Sequence, residues 1–423
     1  MTLYSEANCV NALQINEELL QGSNYFTDTN RLAEAVDYFG FAHRRIILGD
    51  GALDLLGDEC ERLGTDRVFL VRDAGLIALE ESVRQVLGAA GKTLVGVYGK
   101  VMPNPTVESV TDLAGHIKNA DCQAVIALGG GSTIDSAKAA CCLATCGGVL
   151  PDYFGFDLFD RAAHWPMIAV PTTSGTGAEA SRVAVIADTG GKQAIYSDYL
   201  TPRVALVDPQ LTRSLPAALT AISGLDALGH ALECTASKKS NLLGDAVARM
   251  ALASGCPHLE RAIDKGEHDP EARYHMARCA LLSGLLLSPI NTGAGHALGY
   301  GIEKLSAAAG RPVPHGAAVS LVLPGVMRHN APVAGDKYYY TAGVAGLKLA
   351  GLSREAGVER AVVWLDNLRR QHTSFASLRA SGLDEKDIPA MAGIALSIRR
   401  LMDPNPVELT GEDAERIYRA VLD

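Results

Sequence analysis

The sequence predicts an α/β N-terminal nucleotide-binding domain, residues 1–211, followed by an all-α C-terminal domain, residues 212–423. Three observations carry this. Short apolar runs alternate with helix-period segments as far as Asp208. Beyond that point strand-like runs nearly vanish and Ala/Leu-rich helical patterns take over. A run of three glycines, Gly129 to Gly131, joins one of the strands to a helix. Alternation of this kind builds a parallel sheet covered by helices.

The elements follow in order. Residues 1–38 are polar and mixed, a lead-in with no predicted element. Strands are expected at 44–50 (RRIILGD), 66–73 (DRVFLVRD), 93–99 (TLVGVYG), 124–130 (AVIALGG) and 167–173 (MIAVPTT). ALDLLGDECERLG and TVESVTDLAGHIKNA supply helices between them. ASRVAVIAD, KQAIYSD and VALVD read as an extension of the same sheet. DAVARMALASGCPHLERAI and ERAVVWLDNLRRQ are the clearest helices of the second half. CALLSGLLLSPI is shorter than the ~20 residues of a membrane span and reads as a buried helix.

Composition narrows the partners. The net charge is −10, with no basic tract to meet phosphates, which disfavours nucleic acid and anionic membranes. Nine cysteines without C-x-x-C spacing suggest reduced thiols and a cytoplasmic setting. The N-terminus shows no basic and apolar regions of a secretory signal.

AVIALGGGSTIDSAKAA is the strongest local signal in the first half. Glycines let a backbone approach an anion, and a helix N-terminus presents N–H groups and positive dipole to it. Gly130, Gly131 and Ser132 therefore read as a pyrophosphate cradle, although G-x-G-x-x-G is absent. Ser132 and Asp135 have the spacing of a capping box. PTTSGTGAE offers a second loop of hydroxyls, Thr172, Thr173, Ser174 and Thr176. Asp73 ends a strand, where a carboxylate accepts from a ribose diol and repels a 2′-phosphate, favouring NAD over NADP; adjacent Arg72 would blunt that repulsion.

The second half carries metal-ligating residue types. Asp226 and His230 lie four apart and share one helix face. His296 sits in a helix-compatible segment, and His315 follows a proline at a loop or helix start. One carboxylate and three imidazoles suit Fe²⁺ or Zn²⁺, and the ligand set does not choose between them. The other histidines read as ordinary core or surface residues.

GGGSTIDSAK, PTTSGTGAE, DALGHALE, HALGY and PHG occur in this order, with MPNPT and VDP in register. From about Phe39 to the C-terminus the chain thereby resembles the group III, iron-containing alcohol dehydrogenase family. The resemblance implies a dehydroquinate synthase-like fold with cofactor and metal in a cleft between the two parts. It implies Asp226, His230, His296 and His315 as ligands of Fe²⁺ or Zn²⁺. It carries NAD contacts to Asp73, Asn104, Gly130, Gly131, Ser132, Asp135, Thr172, Thr173, Thr176 and Lys192. It implies metal-dependent, reversible hydride transfer on a small primary alcohol or aldehyde, by a homodimer or larger homo-oligomer. Tyr300 stands where many members carry a further histidine and is expected to serve in proton transfer. Relatives that act on aldehydes bearing an anionic group look similar to HALGY here. The interval before His315 is longer than in many members, so EKLSAAAGRPV is expected to bulge as a loop. Arg182 is a candidate clamp for an anionic substrate group. Two other classes fit the same residues: a hydroxyacid–oxoacid transhydrogenase retaining its NAD, and a metal- or nucleotide-binding protein without turnover.

Overall fold

A computed structural model describes residues 45–189 and 191–423; the 1–38 lead-in lies outside the described residues. The strands are β1 (Ile46–Leu48), β2 (Arg67–Asp73), β3 (Thr93–Val101), β4 (Ala124–Gly129), β5 (Gly155–Phe156), β6 (Met167–Pro171), β7 (Val183–Asp188), β8 (Gly191–Tyr196) and β9 (Val204–Val207). The α-helices among and after them are α1 (Leu56–Arg62), α2 (Ile77–Ala89), α3 (Val107–Asn119), α4 (Gly131–Cys146), α5 (Ala217–Ala236), α6 (Leu242–Gly255), α7 (Leu259–Lys265), α8 (Pro270–Leu287), α9 (Ala294–Ala308), α10 (His315–Val344), α11 (Arg354–His372), α12 (Ile388–Ser397), α13 (Arg399–Met402) and α14 (Gly411–Arg419).

The main sheet has the order β1-β9-β6-β4-β2-β3, and every pairing in it is parallel. Its central strand β4 is buried at every residue, which is why AVIALG is a continuous apolar run. Alternate side chains face opposite helical layers. Phe69, Val71, Val125 and Ala127 pack with Leu113 of α3 and Ile134 of α4. Val68, Leu70, Ile126 and Leu128 pack with Leu56 of α1 and with Val83 and Leu87 of α2. Gly129 pairs in register with Pro171, so the loops after β4 and β6 leave the sheet side by side. Ligands of such sheets bind outside the carboxyl ends of the strands.

β7 and β8 do not extend this sheet as expected. They pair antiparallel and join β5 in a separate three-stranded sheet, while VALV alone enters the main sheet as β9. Asp188 pairs with Gly191, and a link that short permits an antiparallel turn, whereas a parallel partner needs a crossover of a dozen or more residues.

Past Pro216 the described chain is helical, and no helix in it is long and apolar enough to cross a membrane. α5 packs Leu225, Leu228 and Leu232 against Leu252 of α6 and Met276 of α8. α9 packs Leu298 and Ile302 against Leu321 of α10 and Met391 of α12. DAVARMALASGCPHLERAI folds as two helices rather than one, breaking between Gly255 and Leu259 around Pro257. The EKLSAAAGRPV bulge is also corrected: Glu303–Ala308 continue α9, and only residues 309–314 are loop. Alanine and leucine favour the helix; Gly310, at φ 73°, ends it as a left-handed cap, with prolines beyond.

Candidate metal and dinucleotide site

α5 presents Asp226 and His230 one turn apart, both buried. His296 lies in the first turn of α9, and His315 opens α10 behind Pro314, whose fixed φ suits a helix start. The fold brings the four together: their ligand atoms all lie within 4.8 Å of one another. Asp226 Oδ1 is 3.9 Å from Nε2 of His230 and 3.7 Å from Nε2 of both His296 and His315. Ligand atoms ~2.1 Å from one tetrahedral ion stand about 3.4 Å apart, so the three distances from Asp226 exceed that spacing by only a few tenths of an ångström.

The chemistry of the donors fits a cation. Asp226 Oδ1 and His296 Nε2 are buried without a hydrogen-bond partner. Such groups are costly unless something satisfies them, and one divalent ion would satisfy both. Burial pushes the Asp226 carboxyl up, but His230, His315 and His296 outweigh it and hold the group below its usual range. Burial pulls His230 down to about 4, leaving it neutral, as a ligand must be. His315 is also pulled down by burial, yet Glu303 and Asp226 overcome this and raise it.

Carboxylates behind the imidazoles fix their orientation. Glu233 meets Nδ1 of His296 and accepts backbone N–H groups of Gly293 (3.1 Å), Gly295 (2.6 Å) and His296 (3.3 Å). Glu303 meets Nδ1 of His315 at 2.6 Å and pairs with Lys192. The sequence reading missed both carboxylates. Their signal was there: Glu233 is three residues past His230, and Glu303 is seven past His296, two turns along one face.

A cavity of ≈180 Å³ has the quartet in its lining. Asn104, Gly131, Ser132, Asp135, Thr176, Lys192 and Tyr300 also line it; Asp73, Gly130, Thr172 and Thr173 do not. The glycines are explained by the neighbouring loop. A Cβ on Gly131 would stand 2.7 Å from Thr176 Oγ1, and one on Gly130 would stand 3.3 Å from Thr173 Oγ1. Asn104, left-handed at φ 56°, donates its N–H to Ser132 Oγ at 3.3 Å. Thr172 is buried and donates its N–H to Gly129 O at 3.0 Å. Asp73 Oδ1 accepts from Gly75 N at 2.8 Å. Arg72 is engaged by Glu80 at 2.6 Å.

Two local expectations are corrected. Ser132 and Asp135 form no capping box: the N-cap of α4 is Gly130, and no side chain caps it. Asp135 is drawn away to accept from Val185 N at 3.0 Å, satisfying a backbone donor at a buried site. Arg182 does not reach the cavity; it is ion-paired to Asp157 and lies 3.0 Å from Asp198. Tyr300 lines the cavity with its ring 5.3 Å from that of His315. Burial raises its phenol above the usual range although Arg400 and Lys192 oppose this, so it stays protonated.

Away from the cavity, His258, Glu271 and His275 also offer ligand atoms within 4.8 Å. There the two rings stack at 3.9 Å and Glu271 is held by Arg261 at 2.7 Å.

Comparison with known proteins defines the class as alcohol oxidoreductase. Residues 43–209 match the family model "Iron-containing alcohol dehydrogenase", and residues 220–422 match "Fe-containing alcohol dehydrogenase family, C-terminal". The chain belongs to the iron-containing alcohol dehydrogenase family. It is 38% identical over 303 residues to a 4-hydroxybutyrate dehydrogenase of Cupriavidus necator, covering 69% of this chain and 78% of that protein. Its fold matches a crystal structure of 1,3-propanediol oxidoreductase with a TM-score of 0.84 at 31% identity, over 91% of this chain and 100% of the other. It also matches sulfoacetaldehyde reductase from Bifidobacterium kashiwanohense in complex with NAD⁺, with a TM-score of 0.79 at 28% identity, over 92% and 99% of the two chains.

Proposed function

We propose that this chain is a divalent-metal-dependent, NAD(H)-linked alcohol dehydrogenase, working in reverse as an aldehyde reductase on a small primary substrate. The observation that carries the reading is the convergence of Asp226, His230, His296 and His315 on one point in a cavity shared with the glycine loop. Fe²⁺ or Zn²⁺ held there would supply a Lewis acid toward an alcohol or carbonyl oxygen, and NAD would supply the hydride acceptor. The relatives named as a 4-hydroxybutyrate dehydrogenase and an NAD⁺-bound sulfoacetaldehyde reductase support a small substrate and NAD.

The chain's own residues have separate roles in this reading. Gly131 and Ser132 at the start of α4 face the pyrophosphate, where N–H groups and the helix dipole favour an anion. Thr176 and Asn104 flank the cofactor, with Thr172, Thr173 and Gly130 shaping the loops behind it. Asp73 accepts the ribose diol and disfavours a 2′-phosphate; Arg72 does not blunt this, because Glu80 holds its charge. Lys192 and Glu303 form one bridge from the cofactor side to His315. Tyr300, protonated in the cavity, donates a hydrogen bond where the substrate proton is exchanged.

The test is a panel of short alcohols and aldehydes, followed by NADH absorbance, on metal-stripped protein with Fe²⁺ or Zn²⁺ restored. Turnover that returns with the metal is expected. Full turnover without metal, or none on any substrate with it, would overturn the reading.

A further inference from the structure

We infer that Arg400 binds a carboxylate at the far end of the substrate, making the enzyme selective for short ω-hydroxy acids and ω-oxo acids. The inference rests on the dehydrogenase reading above and gives it a substrate class.

Arg400 lies in the short helix α13 and lines the cavity that holds the quartet. Its neighbour Arg399 points to solvent and pairs with Asp403. Arg400 turns inward and, among the described residues, has no carboxylate within ion-pairing distance. Its polar partners there are the Tyr196 hydroxyl, 2.8 Å from Nη1, and the Tyr300 hydroxyl, and its guanidinium stands 5.7 Å from the ring centres of both tyrosines. The other lysine or arginine of the cavity is engaged. Lys192 is paired with Glu303.

A half-buried guanidinium without a counter-charge is costly in the free protein. Its planar fork matches the two in-plane oxygens of a carboxylate, and that match strengthens in a site shielded from water. The placement fits a chain of a few carbons. The Tyr300 ring adjoins both ends, 5.7 Å from the guanidinium and 5.3 Å from the His315 ring. A substrate with its oxygen at the quartet and its carboxylate at Arg400 would run past the Tyr300 ring.

The experiment compares 4-oxobutanoate with butanal, aldehydes of equal chain length, in the metal-loaded enzyme, in Arg400→Met and in Arg400→Lys. The quantity read is the ratio of kcat/KM for the charged aldehyde to that for the uncharged one. Arg400→Met is expected to lower this ratio at least 100-fold, mostly through KM for 4-oxobutanoate. Arg400→Lys, which keeps the charge without the fork, is expected to lose about tenfold and covers the case in which the methionine variant does not fold. A ratio within threefold of the unaltered enzyme in the folded variants overturns the carboxylate role while leaving the dehydrogenase reading intact. Absence of turnover on both aldehydes by the unaltered enzyme overturns both.

Discussion

Replacing Glu233 with glutamine should weaken metal binding without removing any metal ligand. One Glu233 oxygen accepts three backbone N–H groups, from Gly293, Gly295 and His296, and the other faces Nδ1 of His296. A glutamine must keep its single oxygen on the three N–H groups, so its NH₂ is left facing Nδ1. Two donors cannot share that contact. His296 then carries its proton on Nε2, the atom 3.7 Å from Asp226 Oδ1, and offers no lone pair to a cation. Loss of such an outer partner lowers metal affinity about 10- to 100-fold, or ~1.4–2.7 kcal/mol. Glu233→Ala is less informative, because it strands buried N–H groups at roughly 1–3 kcal/mol each. Zn²⁺ affinity by chelator competition, with a thermal melt as the folding control, reads the effect. A folded Glu233→Gln protein that binds Zn²⁺ as tightly as the unaltered one would refute the reasoning.

Gly131→Ala places a Cβ 2.7 Å from Thr176 side-chain atoms, an overpacking of about 1–3 kcal/mol, so the NADH dissociation constant from fluorescence titration should rise roughly tenfold. Gly115→Ala, in helix α3 with open space around it, is the control and should leave NADH binding unchanged while stabilising the fold by ~0.5–1 kcal/mol. Burial raises the Asp135 carboxyl to about 6, against the pull of Lys138, the Val185 N–H and Lys192. A carboxyl raised in the folded state contributes stability below its unfolded pKa and loses it as pH rises through the folded value. Asp135→Asn removes that loss, so its advantage in urea melts should grow by roughly 1–1.5 kcal/mol from pH 5 to pH 8; an advantage independent of pH would contradict the assignment.

The parts legible in the sequence were those encoded by short-range spacing. β4 and β6 declare themselves as apolar runs because both faces are covered. Asp226 and His230 are paired by one helical turn, and His315 by the proline that starts its helix. What stayed hidden depends on tertiary placement. Arg400 lies 100 residues beyond Tyr300 and beside an arginine of identical type; only folding turns one outward to Asp403 and the other toward the cavity. Arg182 looked equally suited to an anion, but Asp157 and Asp198 come to it from distant segments. Whether β7 and β8 extend the main sheet was decided by the two-residue link between Asp188 and Gly191, not by apolar pattern.

The most direct test is anomalous scattering from crystals grown with Fe²⁺ or Zn²⁺. The account predicts one strong peak at ligand distance, about 2.0–2.2 Å, from Asp226, His230, His296 and His315 together. A peak only at His258, Glu271 and His275, or an empty quartet in metal-saturated crystals, would contradict it.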